Sequence, residues 1–267
     1  MNTEIDYQNP VQIAEDIYWV GFFDKERNLH CNPYLIVGGD EAVLIDSGSR
    51  TDFSTVMTKV LQTGVELKQI RYLIYQHYDP DLCSSIPHFE QFTDPRKTEL
   101  VSHKENNVFI RYYAGTLKML CIESLGMEIC LNNGRKLHFA RTPYSHSAGS
   151  FVTFDEKTGT LFSSDLFGAY DKKWELFLEF DPECRTCTIP EECPAQKEYC
   201  PLHGIFTFHQ RIMTSHAALE YAMKQISTFP IRQVAPQHGS VLRKRDDIDL
   251  LIQRLSNLER VGIDGII

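Results

Sequence analysis

The run Ile70-Arg71-Tyr72-Leu73-Ile74, followed by Tyr75-Gln76-His77-Tyr78-Asp79-Pro80-Asp81, constrains this chain more than any other segment. The first five residues are mostly apolar and β-prone, which predicts a buried strand. The polar stretch behind it carries one imidazole and two carboxylates at alternate positions. A strand ending in His-x-Asp-x-Asp delivers these groups from one short loop at the rim of a sheet. Imidazole with carboxylate suits iron, manganese or zinc, and the lack of thiolate in this triplet argues against a closed structural zinc site. Taken alone, a solvated polar loop explains the triplet equally well.

The rest of the chain keeps a similar rhythm. Ile17–Val20, Tyr34–Val37 and Ala42–Asp46 read as strands, the last two joined as a hairpin through Gly38-Gly39-Asp40. Apolar residues at helical spacing predict a helix over Asp52–Leu61 and a shorter one over Leu82–Phe92, and Leu100–His103 reads as a strand. In the second half, Lys136–Ala140, Ser150–Phe154, Thr160–Ser164 and Gln233–Pro236 are strand-like. Ile212–Ser227 and Asp247–Leu258 are helix-like. Two sets of antiparallel strands, each followed by helices, predict two sheets packed face to face with helices outside.

Composition limits the function classes. The chain has 267 residues, enough for one large α/β domain, and no repeat, low-complexity tract or proline-rich linker divides it. Its 27 Lys+Arg against 36 Asp+Glu give a net charge of -9 without a basic run, which disfavours nucleic acid and anionic membranes as partners. The N-terminus is polar and acidic, no secretory signal is visible, and no apolar stretch approaches the roughly 20 residues that span a bilayer. A cytoplasmic protein is therefore expected. In that reducing setting the 8 cysteines read as thiols, metal ligands or redox groups.

Three further candidate ligands close strands in the second half. His146 lies in the turn-rich Thr142-Pro143-Tyr144-Ser145-His146-Ser147-Ala148-Gly149. Asp165 directly follows Leu161-Phe162-Ser163-Ser164, and His238 follows Val234-Ala235-Pro236-Gln237. Singly, each has an ordinary structural explanation; the remaining histidines, His209 among them, are left with one. The weight comes from order and context together: His-x-Asp-x-Asp, then His, Asp and His, each at a strand end.

In that order the chain resembles the metallo-β-lactamase superfamily, and within it the diiron domain of flavodiiron proteins. Besides the His77 loop, the resemblance is carried by Asn32-Pro33-Tyr34-Leu35-Ile36-Val37, Val43-Leu44-Ile45-Asp46-Ser47-Gly48, Ser145-His146-Ser147-Ala148-Gly149, Leu161-Phe162-Ser163-Ser164-Asp165-Leu166-Phe167-Gly168 and Ala235-Pro236-Gln237-His238-Gly239. A carboxylate at Asp79, where the superfamily's hydrolases usually carry histidine, points to the diiron branch. The resemblance implies an α/β four-layer αβ/βα sandwich, a single domain over 1–267, two iron ions, dioxygen as ligand and a homodimer. It places one iron on His77, Asp79 and His146, the other on Asp81 and His238, with Asp165 bridging. Manganese or zinc in some preparations is compatible with the same donors.

Two departures stand out. The superfamily often has a second histidine directly after the Asp81 position; here Leu82 stands there, which implies an open coordination position. No flavodoxin-like segment follows within the 267 residues. No flavin is expected in this chain, so electrons would come from a separate redox protein, or oxygen would bind without sustained turnover.

Between Asp165 and the Ile212 region, Cys184, Cys187, Cys193, Cys200 and His203 form a dense insertion at about 181–204. CxxC spacing suits a second metal or a redox pair, and the bland readings are a zinc-knuckle-like staple without catalytic role or reduced thiols on a flexible lid. Cys83 reads as a buried thiol. The leading reading is a diiron protein that binds or reduces dioxygen, serving as an oxygen or redox sensor. The alternative is a binuclear metallohydrolase for phosphodiesters, thioesters or lactones, in which a divalent ion lowers the pKa of bound water to about 7. A third is a metal-stabilised interaction module whose Cys loop docks a signalling protein.

Overall fold

The computed structural model describes residues 5–24, 29–170, 173–187, 193 and 199–267. Among them, 5–24, 30–139 and 155–158 make one compact unit; residue 29, 140–154 and the described residues from 159 onward make another.

The first unit is built on a seven-stranded sheet. Its strands lie in the order Val11–Ala14, Ile17–Trp19, Tyr34–Gly38, Glu41–Ile45, Ile70–Ile74, Glu99–Ser102, Lys118–Cys121. The expected hairpin is present, with Tyr34 opposite Ile45 and Gly38 opposite Glu41. The expectation of antiparallel strands is corrected here. Ile70–Ile74 runs parallel to both Glu41–Ile45 and Glu99–Ser102, and Lys118–Cys121 continues parallel. Parallel neighbours need long crossovers, and helices supply them: Phe53–Gln62, Ile86–Phe92 and Lys104–Ile110. The spacing of buried Val56 and Val60 turns one stripe of the first crossover helix onto the core with Leu44, Leu73 and Phe89.

The expected Leu82–Phe92 helix is split into Pro80–Cys83 and Ile86–Phe92. Ser84 and Ser85 fall at the break. Short hydroxyl side chains compete for backbone hydrogen bonds, and Ser84 Oγ donates to the Pro80 carbonyl at 2.5 Å. Glu128–Cys130 and Lys136–Arg141 pair as an antiparallel hairpin.

In the second unit the strands run in the order Phe151–Asp155, Thr160–Phe162, Gln233–Ala235, Val241–Leu242, Phe177–Leu178. Thr160–Phe162 is parallel to Gln233–Ala235, so the loops leaving both strands emerge at one end of the sheet. The expected helix Ile212–Ser227 is present as His216–Ile226, starting four residues late, and a separate helix that was not expected, Pro201–Ile212, ends just before it. Met213 is extended, and the Ser215 hydroxyl accepts the Ala218 N–H at 3.2 Å, capping a new start. Leu219, Ala222, Met223 and Ile226 face inward at helical spacing, as do Leu202, Ile205, Phe208 and His209 of the preceding helix. With Ile248, Leu251 and Leu255 of Arg245–Ser256 they enclose this unit's core. No helix among the described residues is long and apolar enough to cross a membrane.

Candidate metal centre

In the first unit the parallel strands all point their carboxyl ends one way, the usual position for a site in such sheets. Ile45 leads into Asp46, which adopts a left-handed conformation, φ 56°. Its Oδ1 accepts the Gln76 N–H at 3.4 Å, next to His77. Ser47 Oγ lies 2.7 Å from Tyr75 Oη, 2.6 Å from Ser85 Oγ and 3.1 Å from the Leu82 carbonyl. Burial, then the nearby Cys83, holds the Tyr75 phenol well above its ordinary pKa, so its proton is available to Ser47. The Asp46-Ser47-Gly48 motif is thus the brace that fixes both ends of the His77 loop.

That loop presents two pairs. His77 is buried, and its ligating nitrogen lies within 4.8 Å of the nearest oxygen offered by Asp79. Asp79 has extended backbone and precedes Pro80 at the first position of the Pro80–Cys83 turn. Asp81 sits on that turn, and its carboxylate lies within 4.8 Å of the Cys31 sulfur. Leu82 is fully buried hydrocarbon. Burial, followed by the charges of Asp46, Asp81 and Asp79, pushes the Cys83 thiol well above its ordinary value. Cys83 therefore stays an S–H, and it donates to the His77 carbonyl at 3.6 Å.

The second unit supplies the other three residues. His146 Nε2 is 3.0 Å from Asp165 Oδ2, and His238 Nε2 is 3.7 Å from Asp165 Oδ1. One carboxylate thus offers a different oxygen to each of two imidazoles. The chain turns sharply around it: Ser164 and Phe167 are both left-handed, φ 54° and 66°. Each such non-glycine residue costs about 1–2 kcal/mol, a strain that persists only where the surroundings enforce it. Ser163 Oγ donates to the Leu166 carbonyl at 2.7 Å, and the Gln237 N–H donates to the Ser164 carbonyl at 2.8 Å. Gly168 has no room for a side chain, since a Cβ would stand 2.6 Å from Phe208 Cε1.

His209 is a residue that sequence reasoning passes over. Its Nε2 accepts the Phe167 N–H at 3.0 Å, and its Nδ1 donates to the Ile205 carbonyl at 2.7 Å. Burial lowers its pKa to about 4, so it is a neutral imidazole of fixed tautomer. Only its place on the inward face of the Pro201–Ile212 helix hints at this. Cys31 is the other residue missed.

In the cysteine-rich segment, Cys184 lies on the turn Pro182–Thr186, Cys187 follows it, and Cys200 precedes the helix that carries His203. Burial raises the Cys184 pKa, and Cys200, Cys187 and Cys193 are close enough to raise it further. Residues 188–192 and 194–198 lie outside the described residues. Among the described residues, no three of these five groups bring ligand atoms within 4.8 Å of one another.

The donors fit a pair of hard cations. Carboxylate and imidazole groups, buried or half-buried, stand close together within each unit, and the two oxygens of Asp165 face different imidazoles, a donor set that suits such ions. Comparison with known proteins decides the family: the ODP family beta lactamase model matches residues 29–239. The chain belongs to the ODP family. This gives it the metallo-β-lactamase-like α/β fold that its motifs imply. An ODP structure described as "Peroxy diiron species of chemotaxis sensor ODP" matches 97% of this chain and 98% of its own, with 25% identity and a TM-score of 0.77. Flavodiiron relatives of this ODP-family chain include "Putative diflavin flavoprotein A 2" of Synechocystis, 27% identical over 225 residues, 83% of this chain and 36% of its own. "Anaerobic nitric oxide reductase flavorubredoxin" of Pectobacterium carotovorum is 24% identical across 96% of this chain and 54% of its own. The chain spans roughly a third to a half of the curated relatives it matches.

Proposed function

We propose that this ODP-family chain is a non-haem diiron protein that binds dioxygen and serves as an oxygen or redox sensor. The observation that carries the reading is the Asp165 carboxylate, aimed by one oxygen at His146 and by the other at His238. His77, Asp79, Asp81, His146, Asp165 and His238 are the residues that would hold the two irons. Held there, a diferrous pair would supply the reducing chemistry that oxygen binding needs. The carboxylates would offset the metal charge. The sensing role is supported by the ODP family match and by the likeness to the chemotaxis-sensor structure.

One preparation tests this. The metal-free protein is loaded anaerobically with ferrous iron, air is admitted, and the visible spectrum is followed beside a phosphodiesterase assay. Two irons per chain and a charge-transfer band after air, without hydrolysis, are expected. Asp165→Ala abolishes the band and lowers iron content. Hydrolysis with manganese or zinc and no response to air would replace this reading with the metallohydrolase one. Sedimentation of the loaded protein checks the proposed homodimer.

A further inference from the structure

Cys31 directly precedes the Asn32-Pro33-Tyr34 segment and is almost fully buried. Its surroundings fix it in place. Trp19 Nε1 donates to Asn32 Oδ1 at 2.8 Å, and the Val20 N–H donates to the Pro33 carbonyl at 3.0 Å. Gly21 packs flat against the Cys31 carbonyl, where a Cβ would collide. Backbone held on both sides fixes the position of the Cys31 Cβ. The thiol faces the Asp81 carboxylate, with the two donor atoms within 4.8 Å, a separation that one ion can bridge. Leu82, the residue after Asp81, has no donor atom, so the turn itself supplies the ion with Asp81 alone.

We propose that Cys31 is a ligand to the ion on the Asp81 side. This deepens the diiron reading and rests on it: the second ion, short of protein donors at Leu82, takes a sulfur from a different strand. Coordination replaces the S–H bond by a sulfur–metal bond and releases one proton to solvent per chain. The oxidation states of metal and sulfur do not change in that step. The consequence is an asymmetric centre. One ion sits among imidazole and carboxylate, the other has a softer, more electron-rich donor that favours zinc or iron over manganese.

Zinc-loaded protein tests the assignment without relying on activity. X-ray absorption at the zinc edge is measured on the wild type, on C184S/C187S and on C31S, with zinc counted in each. C184S/C187S removes the insertion's CxxC pair as an alternative sulfur source. It is expected to hold two zinc ions and show a sulfur shell at about 2.3 Å, about one sulfur per two ions. C31S is expected to lose that shell and to bind its second ion at least about tenfold more weakly. A C184S/C187S protein that holds two zinc ions with only nitrogen and oxygen around them overturns the Cys31 assignment and leaves the binuclear reading standing. Persistence of the sulfur shell in C31S overturns the assignment equally. Failure of every form to bind two ions sinks both. Should C31S not fold, the spectrum of C184S/C187S still decides.

Discussion

The Phe167 N–H donates to His209 Nε2 at 3.0 Å, two residues beyond Asp165. The turn that carries the carboxylate facing two imidazoles is therefore held by a third imidazole. His209→Ala removes both the acceptor for Phe167 and the donor to the Ile205 carbonyl, and leaves a cavity in the core. A loss of about 2–4 kcal/mol is expected. Urea unfolding of the metal-free protein measures it, and iron content measures the accompanying slackening of Asp165. His209→Gln, which keeps one hydrogen bond, is expected to recover part of both.

The same ring sets a pH dependence. Its pKa falls from 6.5 to about 4 in the fold, so the folded state favours the neutral form. Its stabilising contribution is complete above pH 6.5 and is lost as pH falls from there through about 4. The slope approaches about 1.4 kcal/mol per pH unit, for a total of about 3 kcal/mol. Metal-free wild type compared with His209→Gln across that window isolates the component. Parallel curves for the two proteins would contradict it.

Ser47 joins the strand end after Ile45 to the helices after His77 through Tyr75, Leu82 and Ser85. Ser47→Ala leaves the buried Tyr75 phenol short of a partner, while Ser85 Oγ keeps its bond to the residue 47 carbonyl, and costs about 1–3 kcal/mol. The brace acts on the His77 loop, so metal affinity is expected to fall with stability. Titration with zinc beside a thermal melt separates the two effects. Unchanged affinity in a destabilised variant would confine Ser47 to a scaffolding role.

Arg135 and Asp155 form a buried two-pronged pair, Nε to Oδ1 at 2.7 Å and Nη2 to Oδ2 at 2.8 Å. Arg135→Met leaves the buried Asp155 charge without its cation, held only by the Thr158 N–H and hydroxyl, and a loss of about 3–5 kcal/mol is expected. Adding Asp155→Leu is expected to recover most of it, because desolvation of the pair offsets much of its attraction. Denaturant midpoints for the single and double variants read the difference, with no expected change in metal stoichiometry.

Much of this is legible in sequence because strands announce themselves twice, by an apolar run and by the turn residues that end it. Ile70–Ile74 is read to the residue, and His77, His146, Asp165 and His238 follow strand ends as expected. Helix boundaries are less legible. Ser84-Ser85 and Thr214-Ser215 interrupt apolar patterns that stay in phase across the break, so periodicity alone runs through them. Strand direction is hidden because it depends on the crossover helices and not on the strands. Lys118–Cys121 and Val11–Ala14 escape notice since edge strands mix polar and apolar residues. Cys31 carries no local signal, and His209 has only its place on an inward helix face. Their partners, Asp81 and Phe167, lie far away along the chain, and only the folded backbone brings them near.

Ser164 and Phe167 enclose Asp165 in two successive left-handed bends that branched side chains resist. Random mutagenesis aimed at retuning this centre will therefore find few survivors at those two positions, with glycine and asparagine over-represented among them. Variation will accumulate instead on the surrounding surface, where the backbone imposes no such veto. The most conserved-looking stretch in any selected library would then record torsional necessity as much as chemistry.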